Sequence, residues 1–286
     1  MRLAIANLKG GVGKSTTSLF LAEYFAAIKR HRVLVIDLDP QSNLSFMLLS
    51  STGVKIAESA HKTLPHFIQQ ILKNEPTNVD DFVQVGGSDL IELKQSADHA
   101  CIHVLPSVPG MWFVEAELNK QFYIKNEDPA HQLHASMKRC LDDLNNQYDI
   151  VIIDCPPGFS TLSQTGLLLA DAIISPTIAD EVSARSLKDF VDVGLKDILG
   201  MNAKDRHHVV ISKYMSTQPE RRVLDVLKRD YDVFAHVIRQ SVDMVRASYY
   251  LDPSTAGRPF NRKYGAVAED VRVLSDEIYR LIFKAR

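Results

Sequence analysis

The sequence predicts an α/β fold: one doubly wound, mostly parallel sheet with helices on both faces, formed by residues 1–286 as a single domain. Three observations predict it. Short, nearly unbroken apolar runs recur at Leu3–Ala6, Val33–Asp37, Ile150–Asp154, Ala172–Pro176 and His208–Ser212, the pattern of strands buried on both faces. Stretches of helical character lie between them, as parallel strands require. Several runs end in glycine, aspartate or proline turns, at the carboxyl ends of strands where open α/β sheets bind ligands.

Composition bounds what such a fold is for. The chain has 286 residues, 45% of them hydrophobic, the share of an ordinary globular protein. No charge-free apolar run is long enough to span a bilayer; the best stretch, Leu162–Ile178, contains Gln164 and Asp171 and reads as helix, turn and strand. The N-terminus runs straight into the first strand, so no signal peptide is expected. Cys101, Cys140 and Cys155 have no CxxC spacing, which fits a reduced, cytoplasmic protein. The net charge of −2 is unevenly spread: residues 201–286 hold 16 Lys and Arg against 11 Asp and Glu, the remainder 17 against 24. A mildly basic C-terminal part can face an anionic polymer, or simply solvent.

The first strand leads into Asn7-Leu8-Lys9-Gly10-Gly11-Val12-Gly13-Lys14-Ser15-Thr16, and Ser18–Ile28 reads as the helix after it. A glycine-rich turn between strand and helix is a phosphate cradle. Glycines let backbone N–H groups approach an anion, and the helix N-terminus adds partial positive charge at the same point. Lys9, Gly10, Gly11, Val12, Gly13, Lys14, Ser15 and Thr16 are the candidate nucleotide-binding residues. Lys14 would reach the terminal phosphates and the Ser15 hydroxyl would ligate Mg2+. The usual P-loop has a glycine five residues before Gly13. Here that position is Leu8, and a second lysine, Lys9, sits inside the loop.

This variant resembles the loop of the ParA/MinD group of P-loop ATPases. The resemblance implies a P-loop NTPase fold with ATP and Mg2+ as its ligands. It also implies that Lys9 reaches across a dimer interface to the partner's nucleotide, so that Lys9 and Lys14 are both catalytic.

The second strand ends in Asp37-Leu38-Asp39-Pro40-Gln41-Ser42-Asn43, acidic residues at a parallel strand's carboxyl end. The segment is similar to the group's Asp-x-Asp-Pro-Gln-x-Asn, with Ser42 where glycine is common. The resemblance implies that Asp39 orients the attacking water and that Asp37 supports the Mg2+ shell. Asp39, Pro40 and Gln41 would form one switch.

Residues 51–100 read as a variable segment, with a helix at Thr63–Leu72, loop over 74–85 and a short edge strand at Leu90–Lys94. Ile102–Ser107 resembles the group's strand ending in Pro-Ser, and the stretch holding Trp112, Glu115 and Glu117 its next helix. A loop at Asn126–Pro129 starts a helix over 131–145. His131 and His134 share a face of it, but no Cys or second His pair accompanies them, so a solvated face is the favoured reading over half a metal site.

In Tyr148–Pro157 four apolar residues precede Asp154, the pattern of a Walker B strand whose carboxylate holds Mg2+ through water. Asp154, Pro156 and Pro157, with Gly158, begin a loop that can sense the γ-phosphate; Asp-x-x-Pro is also the group's switch. Cys155 reads as a packed residue rather than a redox switch. Ala170–Pro176 follows the group's next strand, and Glu181–Leu195 reads as a helix.

Further on, Gln218–Lys228 reads as a helix, and the resemblance thins. Where relatives place Asn, Thr or Met against adenine, this chain has Ser212-Lys213-Tyr214-Met215; where they carry Ile-Pro-Arg, it has Val237-Ile238-Arg239. Ala247–Pro259, with Gly257-Arg258-Pro259, resembles the ParA segment ending in Gly-Lys/Arg-Pro. Val267–Phe283 reads as an amphipathic helix with Leu274, Ile278, Leu281 and Ile282 on one face. Its Glu269, Asp270, Asp276 and Glu277 oppose a stable membrane anchor, although Arg280, Lys284 and Arg286 cluster at the end.

The resemblance as a whole implies a slow, partner-stimulated ATPase that dimerises on ATP and binds DNA nonspecifically. A ParB-like centromere- or cargo-binding adaptor would stimulate it. The outcome would be partition of plasmid or chromosomal DNA, or positioning of cargo on the nucleoid. Candidate phosphate contacts are Lys188, Arg221, Arg222, Arg239, Arg246 and Arg258. The P-loop starts at residue 7 with no helix-turn-helix before it, so operator reading by this chain is not expected. The alternatives are a membrane-cycling ATPase of the MinD type and a metal-cluster ATPase, which needs bridging cysteines.

Overall fold

A computed structural model describes residues 1–73, 75–94, 100–125, 127–144, 147–200, 205–252 and 257–284. The elements in chain order begin β1 (Arg2–Ile5), α1 (Lys14–Ala27), β2 (Arg32–Asp37), α2 (Asn43–Ser59), α3 (Leu64–Leu72), β3 (Gln84–Val85) and α4 (Ile91–Lys94). Next come β4 (Cys101–Leu105), α5 (Met111–Lys125), α6 (Pro129–Asp142), β5 (Ile150–Asp154), α7 (Thr161–Leu169) and β6 (Ala172–Thr177). The rest are α8 (Glu181–Asp189), a π turn (Phe190–Leu195), α9 (Lys196–Leu199), β7 (His207–Ile211), α10 (Gln218–Asp230), α11 (Val242–Ala247), α12 (Phe260–Tyr264) and α13 (Ala268–Lys284).

The seven strands form one sheet in the order β3-β4-β2-β5-β1-β6-β7. Every pairing is parallel except the short β3–β4 edge. The doubly wound α/β expectation is therefore met. Alternate strand residues feed two cores. One lies under α3, α5, α6, α7, α8 and α10; the other lies under α1, α11, α12 and α13. Helix α1 is buried on nearly every side, because it covers the sheet and is itself covered by α13. The apolar face of α13 (Val271, Leu274, Ile278, Ile282) is buried in this packing. Of the basic cluster at the chain end, Arg286 and the side chain of Lys284 lie outside the described residues.

Two readings of the variable segment are corrected. Leu90–Lys94 is not a strand: Ile91–Lys94 is a single helical turn, and Leu90 makes only an isolated bridge to Arg258. The edge strand is Gln84–Val85, inside the stretch read as loop, pairing with Val104 and His103. Two residues are too few to show an alternating pattern. Helix α2 also went unread; it breaks at Ser50 (φ 65°, ψ 169°), which hides its period.

Between α1 and α12 lies a polar cluster built on Glu23, whose partners no local pattern announces. Glu23, fully buried, accepts from Lys263 Nζ and Ser88 Oγ on one oxygen and from Tyr264 Oη on the other, each at 2.6 Å. Lys263 also lies 2.7 Å from Asp89, which holds Arg258 in turn. Breaking one partner of a buried pair strands the other's charge, a loss of about 3–5 kcal/mol. Lys263→Met is therefore expected to lower unfolding free energy by about that much. Adding Glu23→Gln should recover part of the loss, read as urea midpoints.

Candidate functional site

The sheet order dictates which loops meet. Ile5 and Asp37 both lie opposite Asp154 in the register, so β1, β2 and β5 end side by side. Their continuations are the glycine-rich loop, Asp37–Asn43 and Asp154–Ser160. Gly11 (φ 74°) and Gly13 (φ 94°) take the left-handed conformation that wraps the first loop. A Cβ added at Gly10 or Gly11 would meet nothing within 4 Å, so the loop's outer side is open to a ligand.

Lys14 begins α1 and turns its ammonium back over the loop to the Lys9 carbonyl, 3.3 Å away. Burial lowers its pKa, and the charges of Asp154 and Asp39 oppose that. Asp154 accepts from Ser18 Oγ at 2.8 Å, while its second oxygen, Oδ2, is buried without a hydrogen-bond partner. Asp37 is fully buried; one oxygen accepts from the Ser45 N–H and hydroxyl (2.9 and 2.6 Å), the other from the Asp39 N–H (3.1 Å). Asp39 caps its own loop by accepting from the Gln41 N–H at 2.9 Å. Ser42, where glycine is common in the resembling group, sits at φ 57°. That explains why glycine suits the position.

Two carboxylates at the end of adjacent strands cannot both ionise cheaply away from water. Burial, then the neighbouring Asp154, raises the pKa of Asp37 well above the ordinary value. Burial pushes Asp154 up to about 7, against the pull of the Ser15 and Ser18 hydroxyls. Burial likewise raises Asp39. A buried orphan carboxylate oxygen beside the Ser15 and Ser18 hydroxyls offers oxygen donors suited to a hard divalent cation, and the neighbouring Lys14 ammonium suits the phosphate that such a cation accompanies.

The sign of the linkage follows. The folded pKa of Asp154 exceeds its unfolded value, so the folded state is disfavoured as pH rises from the ordinary carboxylate range through about 7. Asp154→Asn is expected to stabilise the ligand-free protein at pH 8, by up to roughly 3–4 kcal/mol, with the gain vanishing near pH 4. Urea denaturation at the two pH values checks this. The same substitution should weaken the Mg2+ dependence of nucleotide binding.

Lys9 points away from its own loop. Its ammonium donates to Ser183 Oγ (2.7 Å) and lies 3.6 Å from Asp180, the residue capping α8. Two further side chains pin the loop from the β7 side. Ser212 Oγ donates to the Val12 carbonyl (2.7 Å), and Lys213 Nζ to the Gly11 carbonyl (2.7 Å).

Beside Gly13 opens a cleft of about 420 Å³. Thr16, Thr17 and Phe20 wall one side; Ser212, Lys213, Ile238–Ser241, Met244, Val245, Ser248 and Tyr249 wall the other. It has the place and size for a base and ribose. The sequence singles out Ser212, Lys213, Ile238 and Arg239 of this lining, and Ser248 and Tyr249 within the ParA-like Ala247–Pro259 run, but not Gln240, Ser241, Met244 or Val245. A second cleft, about 500 Å³, gathers Asp39, Pro40, Gln41, Pro156 and Pro157, together with Pro109, Trp112 and Glu115. Of the residues read as switches, Asp39, Pro40, Gln41, Pro156 and Pro157 line this cleft, whereas Asp154 is buried beneath the glycine loop.

The remaining candidates disperse. Arg258 is turned onto Asp89, in the polar cluster between α1 and α12, and not to open solvent. Arg239 is exposed but bonded to Asp270 (2.7 Å) and the Ala266 carbonyl (2.9 Å). Lys188 pairs with Asp192 one turn on, Arg246 stands 3.9 Å from Asp243, and Arg221 donates to Ser216 Oγ. Arg222 is exposed on α10. Cys155 is fully buried, and burial raises its thiol pKa. It is a packing residue. His131 and His134 belong to no metal-holding group among the described residues.

A glycine-rich loop between a central parallel strand and its helix, facing aspartates on two neighbouring strand ends, defines a P-loop NTPase fold. The family AAA_31, described as an AAA domain, matches residues 1–211. The chain belongs to that family, and its relatives mark it as ParA-type. A virulence plasmid ParA family protein, pGP5-D, of Chlamydia psittaci is 26% identical over 98% of this chain and 95% of its own length. An uncharacterised protein of Pseudomonas putida is 32% identical over 66% of this chain, but the chain spans only 60% of that relative's length. Among solved structures, an ATP complex of Cyanothece McdA superposes with a TM-score of 0.73 over 97% of this chain and 96% of its own, at 20% identity. That likeness is one of fold. Among the described residues, no helix is long and apolar enough to cross a membrane.

Proposed function

We propose that this chain is a single-domain MgATP-hydrolysing switch that dimerises on ATP and binds DNA nonspecifically. With a ParB-like adaptor it would partition plasmid or chromosomal DNA, or position cargo on the nucleoid of the cytoplasm. The observation that carries the reading is the convergence of Lys14, Asp39 and the orphaned Asp154 oxygen on an open glycine loop. The ParA-family relatives, and the ATP held by the McdA structure, support it.

The roles follow from position. A triphosphate entering the loop replaces the Lys9 carbonyl as the partner of Lys14. The N–H groups of Gly10–Ser15 and the start of α1 then hold phosphate oxygens. Ser15 and Asp154, supported by Asp37, would hold Mg2+, which supplies positive charge to the β- and γ-phosphate oxygens. Asp39, at the mouth of the second cleft, orients the attacking water. Lys9 leaves Asp180 and Ser183 to meet the partner's phosphates. That is a small sacrifice: a half-exposed ion pair at 3.6 Å is worth about 0–1 kcal/mol.

Lys188, Arg221, Arg222 and Arg246 are exposed and are the retained candidates for DNA phosphates. Arg239 could join them only by giving up Asp270. DNA affinity should be present with ATP and absent with ADP. It should fall roughly 10³-fold or more between 50 and 200 mM salt if six or more phosphates are neutralised. Fluorescence anisotropy on unrelated duplexes tests this; affinity indifferent to nucleotide would overturn the DNA part of the reading.

A further inference from the structure

Residues 181–199 run as α8, the π turn and α9 without a break, since the junction residues keep helical dihedrals. A π turn inside an α-helix is uncommon and is frequently found at functional sites. Here Phe190, Val191, Gly194 and Leu195 all lie buried. Gly194 is required. A Cβ built on it would stand 1.6 Å from Phe159 Cζ and within 2.4 Å of both neighbouring ring carbons. Phe159 therefore fills a slot floored by Gly194 and walled by Phe190, whose ring stacks on it at 5.4 Å and 14°.

Two stretches of this helix, its N-terminus and its π turn, hold two different loops of the phosphate site. Phe159 belongs to the loop leaving Asp154. At the N-terminus, Asp180 and Ser183 hold Lys9 of the glycine-rich loop. The middle is tied to the sheet. Phe190 packs edge-on against His207, whose Nε2 lies 2.8 Å from Ser175 Oγ. Ser175 donates to the Ala6 carbonyl, at the entrance of the glycine-rich loop. Burial drives the His207 pKa down to about 3, so the ring is neutral and this anchor does not titrate near neutrality.

We infer that Phe159 seated on Gly194 is a positioning link that makes the loop after Asp154 and the helix over 181–199 move together, carrying the state of the phosphate site out to that helix. The half-buried ring is either seated against Phe190 and Gly194 or displaced from them, two discrete arrangements of one packed contact. The inference rests on the Asp154–Ser160 loop responding to nucleotide, as proposed above.

Hydrogen exchange on the full chain, with and without Mg2+ and a non-hydrolysable ATP analogue, tests it. In the unaltered protein both 156–160 and 190–199 should change protection on binding. In Gly194→Ala, which forces the ring out, 156–160 should still respond and the response at 190–199 should be lost. Phe159→Ala should give the same loss without adding volume, and covers the case in which Gly194→Ala does not fold. Variants that transmit as the unaltered protein does, or an unaltered protein in which 156–160 responds and 190–199 does not, overturn the link alone. Silence at 156–160 with analogue bound overturns the switch reading, and the link with it.

Discussion

An Asp39→Asn protein is expected to bind MgATP as the unaltered protein does and to turn it over roughly 10²–10⁴-fold more slowly, the range for loss of a positioned acid–base group. The geometry separates the two effects. Asp39 accepts from the Gln41 N–H and lines the second cleft, whereas Lys14 turns over the glycine loop onto the Lys9 carbonyl. On the proposed roles, removing the Asp39 charge leaves the cradle intact and removes the group that orients water. Asparagine keeps the side-chain oxygen that caps the loop, so Pro40 and Gln41 should stay in place. Nucleotide binding by equilibrium dialysis and turnover by phosphate release separate the outcomes. Weakened binding with unchanged turnover would instead make Asp39 a ligand for the nucleotide.

The second large effect belongs to Lys9. A cation supplied to a phosphoryl-transfer site from a neighbouring chain is worth on the order of 10³–10⁵ in turnover. Lys9→Ala should therefore lose about 10³-fold or more, with little change in the affinity of a single protomer for ATP. The cradle explains the difference, because the Lys9 side chain, unlike its backbone carbonyl, takes no part in it here. Its ammonium is held by Asp180 and Ser183, away from the loop's open side. A Lys9 acting on its own protomer's nucleotide would weaken ATP binding when removed.

How much of this was legible beforehand depended on whether the signal was local. The glycine loop was, because Gly11 and Gly13 occupy left-handed positions that the residue type itself announces. Asp37 and Asp154 were, because each ends a buried apolar run, and parallel pairing then places them opposite one another. The contact of Lys9 with Asp180 was not: the two stand 171 positions apart, and only the fold of α8 over β6 joins them. Glu23 did carry a signal, a lone carboxylate among the apolar residues of α1, but nothing in its neighbourhood points to Lys263. The cleft beside Gly13 draws on residues 238–249, where a loop runs into the six-residue helix α11, too short to show a helical period. Arg258 looked like a free cation in a family-like Gly-Arg-Pro segment, and its pairing with the buried Asp89 is a tertiary fact.

The central claim is that the competent site is built from two protomers, and mixing two inactive variants tests it most directly. Lys9→Ala keeps Asp39 and its cradle; Asp39→Ala keeps Lys9. If Lys9 serves its neighbour, half the dimers in an equal mixture are mixed, and each has one complete site. ATP turnover should then recover to about a quarter of the unaltered protein's rate. A mixture no more active than its two components would contradict the shared site and leave a nucleotide switch that works within one chain.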